Sequence, residues 1–331
     1  MATTYPVSRR LFALAAQIET TYGAEVTATF ATNGQAVRLI ERPEISRGWL
    51  AENLRESWFT GGLGQLAATN PSGEFHELDV QIPLHGYGAA YATAAPAWPN
   101  IHPFLLASGF SASVVNTTGS ESWTYDPTDL PGTGLSIRTR KDGKEYRTVG
   151  GVVTSWSITA AAGEYAVFNA KVFGYAAATS ITETDIGNVV IPSTAPILFK
   201  NATCTISSYV PVIRSFELSV DNTYAARGDG LATKGHAGYR ITRRQIEFKP
   251  VIEHDDITDF DPEAFWEAAT QLTFDLTLDS GSDYNICSFD ADDMRVIGYS
   301  DSDGDGLTLV EPIYRIFTPA SGSEFQIQFA K

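Results

Sequence analysis

The sequence predicts a mainly β protein made of two tandem antiparallel β-sandwich or barrel modules, each with one short flanking α-helix. Apolar residues recur with period two along many short runs, as half-buried strands require. The 331 residues suffice for two domains of ordinary size, each with its own core. One series of parts also occurs twice. Pro43-Glu44-Ile45-Ser46 leads through a Gly-rich stretch to an alternating run at 75–84 and a helix signal at 101–110. Arg214-Ser215-Phe216-Glu217-Leu218 leads likewise to a run at 239–248 and a helix signal at 262–270. We place the modules at residues 1–180 and 181–331.

The elements follow in order. Leu11, Leu14, Ala15 and Ile18 fall at helical spacing behind Ser8, which predicts a short amphipathic helix or arm. Ser8-Arg9-Arg10-Leu11-Phe12 looks like a twin-arginine export signal, but the apolar run ends at Gln17 and Glu19, too short for an h-region. His76, Leu78, Val80, Ile82 and Leu84 share one face of a strand. The first helix opens behind Pro99-Asn100-Ile101-His102-Pro103 and stops at Gly109. Trp156, Ile158 and Ala160 turn at Ala162-Gly163 into Ala166, Phe168, Ala170 and Val172, a hairpin. Residues 176–196 read as the connection between modules, with room for a strand at 189–191. Phe216, Leu218 and Val220 repeat the alternation, as do Phe274, Leu276 and Leu278. Asp261-Pro262-Glu263 supplies an N-cap, a proline at N1 and an acid in the first turn of the second helix. Phe325, Ile327 and Phe329 close the series. Polar stretches at 60–73, 89–100, 116–134 and 222–238 read as long loops, a length associated with function or assembly.

Composition limits the function. The net charge is −16, with 22 acidic and 11 basic residues from position 200 onward. That balance argues against wrapping nucleic acid, whose phosphates call for Lys and Arg on the contact face. Cys204 and Cys287 are the only cysteines, so there is no disulfide framework, and two buried free thiols are expected. No apolar run reaches the roughly 18 residues of a membrane span, and the chain reads as soluble and made in the cytosol.

Catalytic chemistry is hard to find. Asp301, Asp303 and Asp305 before Gly306 resemble the start of a calcium loop, but position twelve is Pro312 and Glu311 comes one residue early. A solvated hairpin turn selects the same residues, so this is a weak metal candidate. His76, His85, His102, His236 and His254 never fall at ligand spacing. The acidic run from Glu253 to Asp261 reads as a helix-capping segment rather than a glycosidase carboxylate pair. No cofactor is implied and no enzyme emerges. Trp49, Trp58, Trp98 and Trp123 leave one alternative, a ligand-binding β-sandwich of carbohydrate-binding or adhesin type.

Residues 10–24, residues 36–45, the run Glu77-Leu78-Asp79-Val80-Gln81-Ile82-Pro83-Leu84-His85-Gly86, residues 103–110 and the strand Gly151-Val152-Val153-Thr154-Ser155-Trp156 with its Glu164 hairpin resemble the tail tube (major tail) proteins of long-tailed phages. The likeness is good over the first half and weaker beyond. It implies a structural virion protein, made in the host cytoplasm and carried in the tail. Such proteins join long hairpins from neighbouring subunits into a barrel around a channel and stack their rings into a tube. If one chain holds two modules, three chains supply what six single modules would, so a trimeric ring is favoured over a hexamer. Ile45, Trp49, Trp58, Leu78, Val80, Ile82, Phe216, Leu218, Tyr239, Ile241 and Phe248 then belong to the lumen and inter-subunit hairpins. Gly61, Gly62, Gly64, Gly228, Gly230 and Lys234 belong to loops between rings. Expected partners are further copies of the chain, the tape measure, terminator and distal tail proteins, and DNA in transit past an acidic wall; no membrane is involved.

Overall fold

A computed structural model describes residues 12–26, 36–54, 68–88, 98–117, 119–128, 134–141, 144–182, 194–228, 236–253, 260–304, 306–319 and 324–331. Its strands are β1 (Phe12–Ile18), β2 (Ala36–Val37), β3 (Glu44–Leu54), β4 (Ala68–Pro83), β5 (Phe110–Val115), β6 (Ser122–Pro127), β7 (Leu135–Lys141) and β8 (Lys144–Ala161). They continue as β9 (Val167–Thr182), β10 (Thr203–Ile206), β11 (Ile213–Gly228), β12 (His236–Glu253), β13 (Leu272–Asp279), β14 (Ile286–Gly304), β15 (Leu307–Ile316) and β16 (Gln326–Ala330). The two helices are α1 (His102–Ala107) and α2 (Pro262–Glu267).

Pairing is antiparallel throughout and joins all 16 strands into one hydrogen-bonded network. Its backbone is a row in the order β3-β4-β9-β8-β11-β12-β15-β14. The first four strands and the last four follow the same rule: a hairpin, then a second hairpin laid beside it by its later strand. The two fours meet where residues 155–161 of β8 pair with residues 215–221 of β11.

Alternation places the core. Leu78, Val80 and Ile82 of β4, Phe168 of β9, Ile158 of β8, Leu218 of β11, Phe248 of β12 and Tyr314 of β15 are all buried. These side chains fill the inner face of the row, with Trp156 against Phe168 at 5.7 Å and Phe248 against Phe274 at 4.3 Å. The remaining elements cover that face, giving a β-sandwich. α1 buries Pro103, Phe104, Leu105 and Ala107, and β16 lies between β14 and β6. At 1.5–3 kcal/mol per large apolar side chain, this shared core dominates stability.

Several expectations change. Residues 12–18 form a strand paired with β7, not a helix. Residues 13–16 are all buried, so they are apolar on both faces, and their spacing matches a helix only by coincidence. α1 stops at Ala107 rather than running to 110, because Gly109 has φ +83° and Phe110 already belongs to β5. α2 ends at Glu267 before Ala269 at φ +49°. The stretch 222–238 is strand on both sides of the undescribed residues 229–235, and 116–134 contains β6. Strand β9 occupies the start of the expected connection, and residues 189–191 lie outside the described residues.

The expected hairpins form. Ile45 pairs with Leu78 and Leu218 with Phe248, and β8 turns into β9 through Gly163 at φ +82°. Asp261 caps α2, its carboxylate accepting from the Ala264 amide at 3.0 Å.

Candidate functional site

Because strand side chains alternate, the buried face of the row dictates the other face. Asp79, Lys171, Ser155, Asp221 and Gln245 stand in one transverse line, since each pairs with the next across β4, β9, β8, β11 and β12. Gln81, Asn169, Ser157, Ser219 and Glu247 form the adjacent line, which Arg315 of β15 continues. A shallow groove of about 460 Å3 runs along the part of these lines from β4 to β11, with Glu217 and Lys249 also lining it.

This face is polar and mixed in charge. Glu247 meets Arg315 at 2.8 Å and Lys249 at 3.1 Å. Burial raises the Glu247 carboxyl, but hydrogen bonds from Arg315, Lys249 and Gln245 outweigh it and hold it below its ordinary value. On this face Glu44, Glu77, Asp79, Glu217, Asp221, Glu247 and Glu311 outnumber Lys171, Arg243, Lys249, Arg295 and Arg315. Nothing here pairs a nucleophile with a base.

The hairpin residues singled out from sequence separate by face. Leu78, Val80, Ile82, Phe216, Leu218 and Phe248 point into the core, and Ile45 is half-buried against it. Their strands therefore present the intervening residues, Glu77, Asp79, Glu217 and Glu247, to the outside. Tyr239 and Ile241 lie further out on β12. The Tyr239 hydroxyl meets that of Tyr175, and its ring stands edge-on to Tyr22 at 6.0 Å. Gly228 ends β11. Trp58, Gly61, Gly62, Gly64, Gly230 and Lys234 lie outside the described residues, as does the Trp49 side chain.

The latch that helps hold the outer half of the β11–β12 hairpin was not foreseen from sequence. Arg244 donates to the carbonyls of Gly109 at 2.7 Å and Thr128 at 3.1 Å, and its guanidinium lies over the Phe110 ring. Asn222 donates to the Ser108 carbonyl at 2.9 Å. These donors satisfy carbonyls at the end of α1, which a helix terminus otherwise leaves open. The adjacent pair Arg243-Arg244 in an otherwise alternating strand was the only available cue.

Other candidates resolve into structure. Asp303 accepts from the Gly306 amide at 3.1 Å, as a turn residue does, while Asp305 lies outside the described residues. Among the described residues no group of three or more His, Cys, Asp and Glu is placed to hold a metal ion. Cys204 and Cys287 are free and buried. Burial pushes the Cys204 thiol up to about 12, with Asp275 adding to it. Trp123 is buried in β6 and Trp98 stacks on His102 at 5.0 Å, so neither is an open sugar platform.

The row also has open ends. Among the described residues β3 pairs only with β4, and β14 beyond Met294 pairs only with β15. Beside that stretch of β14 lie α2 and the exposed Ile297 and Trp266, the latter edge-on to Tyr299 at 6.5 Å.

No curated protein matches the chain. A family model described as phage tail tube protein matches residues 9–308.

Proposed function

The chain belongs to the phage tail tube protein family, and on that premise we propose that three copies close into a ring whose polar face lines the channel for DNA. It is a structural component of the virion tail. The observation that carries the ring is the join between β8 and β11. Each half of the row begins with a first hairpin and ends with a second, and inside the chain the end of one half is paired with the start of the next. The same join between β14 of one copy and β3 of another would satisfy both open edges. An unpaired edge left exposed is a template for uncontrolled association, and closure removes it.

Two modules per chain, divided near residue 180, make three copies sufficient for the sixfold repeat that six single modules would give. The β3–β4 and β11–β12 hairpins line the lumen through Glu77, Asp79, Glu217 and Glu247, not through their apolar residues. A wall with more acids than bases, several of them held in ion pairs, repels phosphate weakly and lets DNA pass without sticking. The tape measure, terminator and distal tail proteins are the partners this role entails.

Two measurements test the reading. Electron microscopy of purified protein should show rings or tubes, and native mass spectrometry should give three chains as the smallest closed assembly. A six-chain ring overturns the stoichiometry, and a persistent monomer overturns the assembly itself.

A further inference from the structure

All eight strands of the row run antiparallel to their neighbours, so the molecule has two distinct ends. At the first end lie the β8–β9 and β14–β15 turns and the segments entering β3 and β11. At the second lie the outer ends of the β3–β4 and β11–β12 hairpins and the start of β8.

Among the described residues, five of the nine exposed large apolar residues gather at one of these ends, the others being Val115, Trp266, Ile297 and Phe317. Ile40, Tyr165, Val210, Val212 and Leu307 are 46%, 54%, 67%, 56% and 48% exposed, and all five sit at the first end. Ile40 leads into β3, its amide bonded to Gln81 at the end of β4. Val210 and Val212 lead into β11, and the Val212 carbonyl accepts from Glu253 at the end of β12. Tyr165 and Leu307 follow the β8–β9 and β14–β15 turns. Ile40 and Val212 therefore stand at the same place in the two halves of the row, as do Tyr165 and Leu307. At the join inside the chain, where β8 meets β11, Tyr165 and Val212 come to the same end. Leu307 and Ile40 stand at the two open edges in the corresponding positions.

Charge separates the same way. At the first end Glu41, Glu44, Glu164, Asp301 and Asp303 are exposed, whereas on the outer half of the β11–β12 hairpin Arg227, Arg240 and Arg243 are exposed. Among the described side chains the first end is mainly acidic, with Lys200 exposed beside Glu164, and the β11–β12 hairpin presents arginines toward the second. Copies stacked head to tail bring unlike charges together, and copies stacked head to head bring like charges together.

We propose that the first end, through Ile40, Tyr165, Val210, Val212 and Leu307, is the axial docking surface for the second end of another copy of this chain. This rests on the proposed ring, because closure is what brings Leu307 and Ile40 of neighbouring copies together and makes six matching apolar contacts per ring. It fixes the direction of stacking and identifies the side chains that hold one ring on the next.

The test uses the full chain with Val212→Asp and Leu307→Ser, separately and combined, and Phe317→Ser as a control, since Phe317 is exposed and follows Ile316, which pairs with Ile246 in the middle of β12, away from the first end. Native mass spectrometry counts chains per ring, while sedimentation and electron microscopy follow tube length. The proposal expects the variants to form three-chain rings that fail to elongate, while Phe317→Ser elongates normally. It also expects wild-type tubes to shorten as salt screens the end charges. Full-length tubes from the combined variant would overturn the axial surface and leave the ring intact. Failure of the wild type to form rings would instead sink the ring reading. Circular dichroism of each variant separates misfolding from lost docking, and a folded variant with normal tubes counts against the proposal.

Discussion

His102 shows how one side chain can set a pH limit for the whole molecule. Its imidazole accepts or donates at the Tyr125 hydroxyl at 2.8 Å, lies flat on Trp98 and meets Trp123 edge-on. Burial lowers its pKa from 6.5 to about 4. The unfolded chain thus takes a proton before the folded one does, and stability is fully present above 6.5 and is lost as pH falls from there toward 4. The unfolding temperature of the wild type should fall across that window, and His102→Gln should flatten the fall. An unchanged slope in the variant would locate the sensitivity elsewhere, for example at His85, which burial also lowers. Glu145 works through charge. Its side chain is 1% exposed and sits at 2.8 Å from both Arg140 and Arg147. Burial opposes ionisation, but hydrogen bonds from both arginines win and lower its pKa. Glu145→Gln removes the buried carboxylate that Arg140 and Arg147 share, while Glu25 still faces Arg147 at 3.4 Å, and should cost about 1–3 kcal/mol by urea denaturation.

Elements differ in how much of them local sequence could show. The hairpins β3–β4, β8–β9 and β11–β12 were readable because their inner faces alternate cleanly, as Trp156, Ile158 and Ala160 do. α2 was readable because Asp261, Pro262 and Glu263 specify a helix start without reference to anything distant. Asp261→Ala should cost about 1 kcal/mol, measured by thermal unfolding. β1 was not readable: residues 13–16 are buried on both sides, so no alternation survives to distinguish a strand from a helix. β6 hid in a polar stretch because its partners, β5 and β16, come from opposite ends of the chain's second and final thirds. The outer β11–β12 hairpin rests only on a small cluster, Tyr239 against Val149, Tyr175 and Ala177, and the Arg244 and Asn222 latch holds it further. Arg244→Ala should speed amide exchange at residues 107–110 and lower stability by about 1.5–3 kcal/mol. Unchanged exchange there would mean the hairpin is held by its aromatic contacts alone.

At the scale of the molecule, the acidic composition and the scarcity of cysteine and histidine clusters narrowed function before any contact was known. The face of the row proposed to meet DNA could not be read from composition, because it depends on which alternate residues the covering elements bury. Nor could the apolar end: Ile40, Tyr165, Val212 and Leu307 are separated by more than a hundred residues in places and share a surface only once the strands are ordered. The mass of the smallest closed assembly remains the decisive measurement at this scale. Three chains support the doubled row, and any other closed number removes the reason for its two-part order.

Strand β16 has one more consequence, which concerns time rather than space. Residues 326–330 lie between β14 and β6, so the layer containing β5 and β6 is joined to the last strands only when the final stretch of chain arrives. Contacts so distant in sequence close slowly, since most of the loop entropy must be lost before they form. In refolding from denaturant, the β16 seam should therefore close after the local hairpins have formed, a lag that amide exchange at residues 326–330 would report.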